Sequence, residues 1–160
     1  MSFRDASPAD IVVIEQYLGR SLSGRCAVVV RRLDGRPVVI ENEPHLRDAT
    51  PMPTLFWLVD PELHDAVSRI EGSGGVHRFE ELVDADSLQK THDAYAERRR
   101  LATVRTDGPQ ASGGVGGTRV GVKCLHAHLA NYLVGATDRV GELVALEVDL
   151  PELSVEDVRA

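Results

Sequence analysis

The chain has 160 residues, with 18 Lys plus Arg against 25 Asp plus Glu, a formal net charge of −7. This length suits one domain, and 42% hydrophobic against 27% charged residues argues against wholesale disorder. The acidity excludes the broad basic footprint of a non-specific nucleic-acid binder. No window approaches the ~20 apolar residues of a membrane span, and the start MSFRDASPADIVVIEQY carries acidic residues and a proline where a secretory signal needs an apolar run. The chain therefore reads as cytoplasmic, with Cys26 and Cys124 as two reduced thiols.

In chain order, Ser7-Pro8 with Asp10 reads as a helix start, and Ile11, Ile14 and Leu18 repeat at helical spacing up to a stop at Gly19. The β-branched runs of CAVVVRRLDGRPVVIEN flank Asp34-Gly35, a turn dipeptide, and predict antiparallel strands near 26–32 and 37–41. A proline-rich loop leads to TLFWLV, a third strand candidate over 54–59 that carries the only tryptophan. Asp60-Pro61 opens a helix over 61–71, stopped by Gly72. Residues 76–108 are charge-rich and mostly helical, most clearly over 86–103. There Arg98-Arg99-Arg100 is expected as a solvated cluster favoured by the helix dipole. GPQASGGVGG reads as an ordered loop or a mobile lid, a helix is expected over 122–134, and ELVALEVDL is expected as a last strand within 142–149.

The chemistry concentrates in GGVGGTRVGVKCLHAH, residues 113–128. Gly116 to Gly121 has P-loop spacing, but Val122 precedes Lys123 and Cys124 follows it where the motif needs Ser or Thr, so a nucleotide-hydrolysing P-loop is not expected. A looser anion site made from Gly116, Gly117, Arg119 and Lys123 stays open. On a helix, Cys124 and His128 would share a face while His126 points away. Cys124 could be a nucleophile activated by Lys123 and His128, or a metal ligand with His128. His126 and His128 could transfer protons. Cys124 could equally be a small apolar core residue, with the histidines satisfied by hydrogen bonds.

PTLFWL (53–58), SRIE (68–71) and KCLHAHLA (123–130) resemble the bacterial family known as domain of unknown function 501, with the resemblance running over roughly residues 7–148. It implies a compact cytoplasmic bacterial protein, actinobacterial in flavour, and carries no reaction, cofactor or catalytic residue. ATDRVG at 136–141 departs from the asparagine-proline-valine-glycine run expected of the family.

The expected fold is α+β: a single globular domain over 1–150 with a small, mainly antiparallel sheet packed by about four helices, then a polar tail over 151–160. The leading functional expectation is a small anionic ligand, phosphate-bearing in one form, held at the Gly-rich loop and Cys–His helix. Cys124, His126 and His128 would be its candidate catalytic groups. The alternatives are a non-enzymatic interaction protein linked to cell growth or division, and a domain stabilised by zinc, the one candidate cofactor.

Overall fold

The computed structural model describes residues 3–159. Four strands, β1 (Cys26–Arg32), β2 (Pro37–Asn42), β3 (Phe56–Leu58) and β4 (Leu153–Val155), form one antiparallel sheet in the order β3-β2-β1-β4. Among the described residues the six α-helices are α1 (Pro8–Leu18), α2 (Pro61–Gly72), α3 (Gly75–Leu82), α4 (Ala85–Ala102), α5 (Leu125–Leu133) and α6 (Arg139–Glu147). The fold is α+β, as the sequence pattern predicts.

The sheet divides two apolar clusters because side chains alternate across it. Cys26, Val28 and Ile40 face Ile14 of α1 and Leu22, whereas Ala27, Val29 and Val39 join Phe56, Val67, Phe79 and Leu129 in the larger core under the remaining helices. The hairpin turns where expected, with Gly35 at φ +94° and its N–H donated to the Arg32 carbonyl. The caps of the first two helices are also as read. Ser7 accepts from the Asp10 N–H at 3.1 Å, and Asp60 accepts from the Leu63 N–H at 3.0 Å.

Four expectations need correction. Residues 142–149 are not a strand: most of them belong to α6, which Asp138 caps by accepting from the Gly141 N–H at 2.9 Å. The alternation in ELVALEVDL is overridden because Val140, Gly141 and Val144 form a helical stripe buried on α5. The last strand lies instead within 151–160, where β4 pairs with Val30–Arg32, Val158 is buried and Arg159 reaches Glu41 at 2.9 Å. The segment is an edge of the sheet and not a free polar tail. The helix predicted from 122 begins at Leu125. Finally, the arginine cluster is not uniformly solvated. Arg100 pairs with Glu97 in solvent and Arg98 lies over the Phe56 ring at 4.9 Å. Arg99, only 4% exposed, donates to the Pro53 and Gly113 carbonyls at 3.0 and 2.7 Å.

Candidate metal centre

The late start of α5 decides which side chains meet. Cys124 is its N-cap, in extended backbone (φ −140°, ψ 112°), and its Sγ accepts from the Ala127 N–H at 3.4 Å. A residue outside the helix does not follow helical periodicity, so Cys124 points to the side that His126 occupies. Glu71, in the last turn of α2, approaches the same point, with Oε2 accepting from the Leu125 N–H at 2.8 Å. That bond satisfies one of the free N–H groups of the helix start. One ligand atom from each of Glu71, Cys124 and His126 lies within 4.8 Å of the others, all three residues being half-buried.

The hydrogen bonds of His126 place a proton on Nε2. Its Nε2 is 3.0 Å from the His64 carbonyl and 3.0 Å from Ser68 Oγ. The Ser68 hydroxyl already donates to that same carbonyl at 2.9 Å, so both neighbours can only accept, and Nε2 must carry the proton. In a neutral ring Nδ1 is then a bare lone pair, and it stands 3.4 Å from Glu71 Oε1. The His64 ring stacks on His126 with centroids 4.3 Å apart. Beside the group opens a cleft of about 330 Å³ lined by Arg20, Phe56, Trp57, His64 and Gly116 as well as Cys124 and His126.

Burial pushes the Cys124 thiol above its usual range and the Glu71 charge adds to this. The Ala127 N–H pulls the other way, and Lys123 acts only as a minor influence. The thiol is therefore protonated at neutral pH unless a cation displaces its proton. This reverses the thiolate activation expected from Lys123 and His128.

His128 does not share a site with Cys124. It is fully buried, with Nδ1 at 2.9 and 3.0 Å from the two Asp138 oxygens, which also accept from Asn131 Nδ2 and the Gly141 N–H. Asp138 can only accept, so Nδ1 donates. Nε2 has no hydrogen-bond partner among the described residues. Arg119 and Lys123 are exposed, and neither they nor Gly117 line the cleft. Of the expected anion-site residues, only Gly116 reaches it.

The Gly-rich segment is held in place from three sides. The His92 ring donates from Nε2 to the Gly121 carbonyl at 2.8 Å and accepts at Nδ1 from the Val115 N–H at 3.1 Å. Arg99 holds Gly113, and Glu80 accepts from the Val122 N–H at 2.6 Å. Gly114 packs so closely on His92 that a β-carbon there would overlap both the ring and the helix backbone. Glu71 and His64 lie outside the site residues expected from the sequence. The available signal was the row His64, Ser68, Glu71, spaced four and three apart and so on one face of α2.

No curated protein and no solved structure matches the chain. The sequence model of one family does match, over residues 28–146, a span that holds most of β1, β2, β3, helices α2 to α5, nearly all of α6 and every residue of the Glu71–Cys124–His126 group. The chain belongs to the family described as "Protein of unknown function (DUF501)".

Proposed function

We propose that Glu71, Cys124 and His126 hold a divalent transition-metal ion of the zinc class, with a fourth position open to the cleft where a small anionic ligand completes the coordination. Thiolate, imidazole and carboxylate are the donor set zinc takes, and three protein ligands with one open position is the arrangement of catalytic sites. The observation that carries the reading is the meeting of three donor groups: with Nε2 turned to a carbonyl, Nδ1 of His126 and a carboxylate oxygen of Glu71 face each other at 3.4 Å beside the Cys124 thiol. That spacing already matches the ~3.5 Å edge of a zinc tetrahedron. The carbonyl behind Nε2 is also the outer-shell partner that orients metal-bound histidines.

In this reading Cys124 is a ligand, not a nucleophile, and His128 is a positioning residue that fixes α5 against α6. The metal would act as a Lewis acid on an oxygen of the ligand. His64, exposed on the cleft wall, is the group placed to exchange a proton with solvent. Two unpaired cysteines, one of them a metal ligand, suit a reducing compartment such as the cytoplasm.

Cobalt(II) titration of metal-free protein tests this directly. One ion per chain should give a thiolate-to-cobalt absorption band that zinc abolishes. Cys124→Ser should remove the band, and His126→Gln should weaken binding by at least about tenfold, while Lys123→Gln leaves it unchanged. Wild-type protein that binds neither ion stoichiometrically, or a Cys124→Ser protein that binds as wild type, would mean that only a proton bridges His126 and Glu71.

A further inference from the structure

A second cavity, of about 370 Å³, lies between α4 and the turn joining α5 to α6 and shares no lining residue with the cleft. One face of α4 supplies Ser87, Lys90, Thr91, Ala94 and Arg98, at the three- and four-residue spacing that aligns side chains on a helix. The turn supplies Thr137 and Arg139. Three cationic side chains thus line one cavity, and none of its lining residues is acidic, in a chain whose net charge is −7. Among the described residues neither Lys90 nor Arg98 makes a salt bridge, and Asp84 at the start of α4 acts on Lys90 only through space. Arg98 is steadied by the Phe56 ring beneath it, and Arg139 is braced by Glu142 at 3.0 Å.

We propose that this cavity binds a small phosphate-bearing anion, with Lys90, Arg98 and Arg139 as its charge partners and the Thr137 hydroxyl as a further donor. Cations that converge on a cavity with no carboxylate in its lining raise the local potential and concentrate anions against the repulsion of the whole molecule, even with Glu142 offsetting part of the Arg139 charge. Arginine suits phosphate because its planar fork donates two parallel hydrogen bonds, and lysine adds a mobile point charge. The volume is at the low end for small-molecule sites, ~300–1,000 Å³, which fits a phosphomonoester or pyrophosphate and excludes a wrapped polynucleotide. Ala94, Ala136 and the Tyr95 ring leave part of the wall apolar, where a short organic group can lie. The Tyr95 hydroxyl is not a ligand group, since it is occupied in accepting from the Leu55 and Phe56 N–H groups.

This inference is independent of the metal reading, and the experiment keeps the two apart. Chelator-treated full-length protein is titrated calorimetrically with inorganic pyrophosphate at low and high salt. One saturable site per chain is expected, weakening as salt rises. Lys90→Gln, Arg98→Gln and Arg139→Gln should each weaken it about tenfold, since each removes a charge-assisted bond. All three residues are exposed, so the variants should stay folded, which their thermal melts check. Arg119→Gln, Lys123→Gln and Cys124→Ser should bind as wild type. Absence of saturable binding at millimolar pyrophosphate overturns the proposal. So does binding that ignores the three cavity cations or depends equally on Arg119 and Lys123.

Discussion

Cys124 and His126 are two positions apart, a separation that points side chains in opposite directions within a helix and lets them meet only if one lies outside it. The N-cap geometry of Cys124 supplies that condition, and the same geometry separates it from His128. The two histidines of KCLHAH therefore do different work. His126 stands half-buried at the cleft, and His128 is buried against Asp138. His128→Ala would leave the Asp138 carboxylate buried beside only Asn131 and one backbone N–H. Urea denaturation should show a loss of about 3 kcal/mol, the usual cost of orphaning a buried charge. The cobalt signal of the folded fraction should persist. Cys124→Ser should show the converse, little change in stability and no cobalt band. A His128→Ala protein as stable as wild type would mean that Asp138 takes up a proton, or finds another partner, without cost.

At the scale of the element, the Gly-rich segment behaves as a clasp that α4 holds against α5. His92 and Arg99 bind its backbone, and the ordered single turn at Val115–Gly117 brings Gly116 against Cys124. Gly114→Ala forces a methyl into the His92 ring. It should cost about 1–3 kcal/mol, as overpacking does, and should weaken metal binding because the wall behind Cys124 moves. Gly72→Ala is the control. It lies at the end of α2 with no atom within 4 Å of a built β-carbon, so its melting temperature should be unchanged or slightly higher. Equal melting temperatures for the two variants would show that the clasp is not rigid. The clasp could not be read from composition, because GPQASGGVGG has the same residues as a mobile linker. What orders it are side chains contributed by a helix that begins more than twenty residues earlier.

Over the whole molecule, the sheet is tied to its surroundings by ion pairs that link segments distant in sequence. Arg32 in β1 reaches Asp60 at the start of α2, Arg31 reaches Asp10 in α1 and Glu156 beyond β4, and Arg159 reaches Glu41. Burial alone would push the Asp60 carboxyl up, but Arg32 and the Leu63 N–H outweigh it and hold the group below the usual carboxylate range. A depressed native value means that the unfolded chain binds the proton more readily. The stabilisation is thus complete above the unfolded value, near ~4, and is lost as pH falls through the lower native value. Asp60→Asn keeps a capping side chain but removes the titration. Its stability should fall less steeply below about pH 4 than that of wild type, in urea midpoints measured across pH. Parallel acid limbs for the two proteins would remove Asp60 from the account.

The sequence by itself determined the fold class, the hairpin and the first two helices with their caps, and it singled out the stretch that supplies Cys124 and His126. These rest on short-range physics: turn chemistry, capping side chains and a repeat of two or 3.6 residues. The tertiary structure alone decided that ELVALEVDL is mostly helix, that β4 closes the sheet from within 151–160, and that Cys124 joins His126 and Glu71 instead of His128. Each of these depends on a partner remote in sequence: the surface of α5 for α6, the open edge of β1 for β4, and the carboxylate of α2 for the start of α5. Local pattern carries no record of those distances, and the energy of burying or pairing across them outweighs the small preferences that pattern expresses.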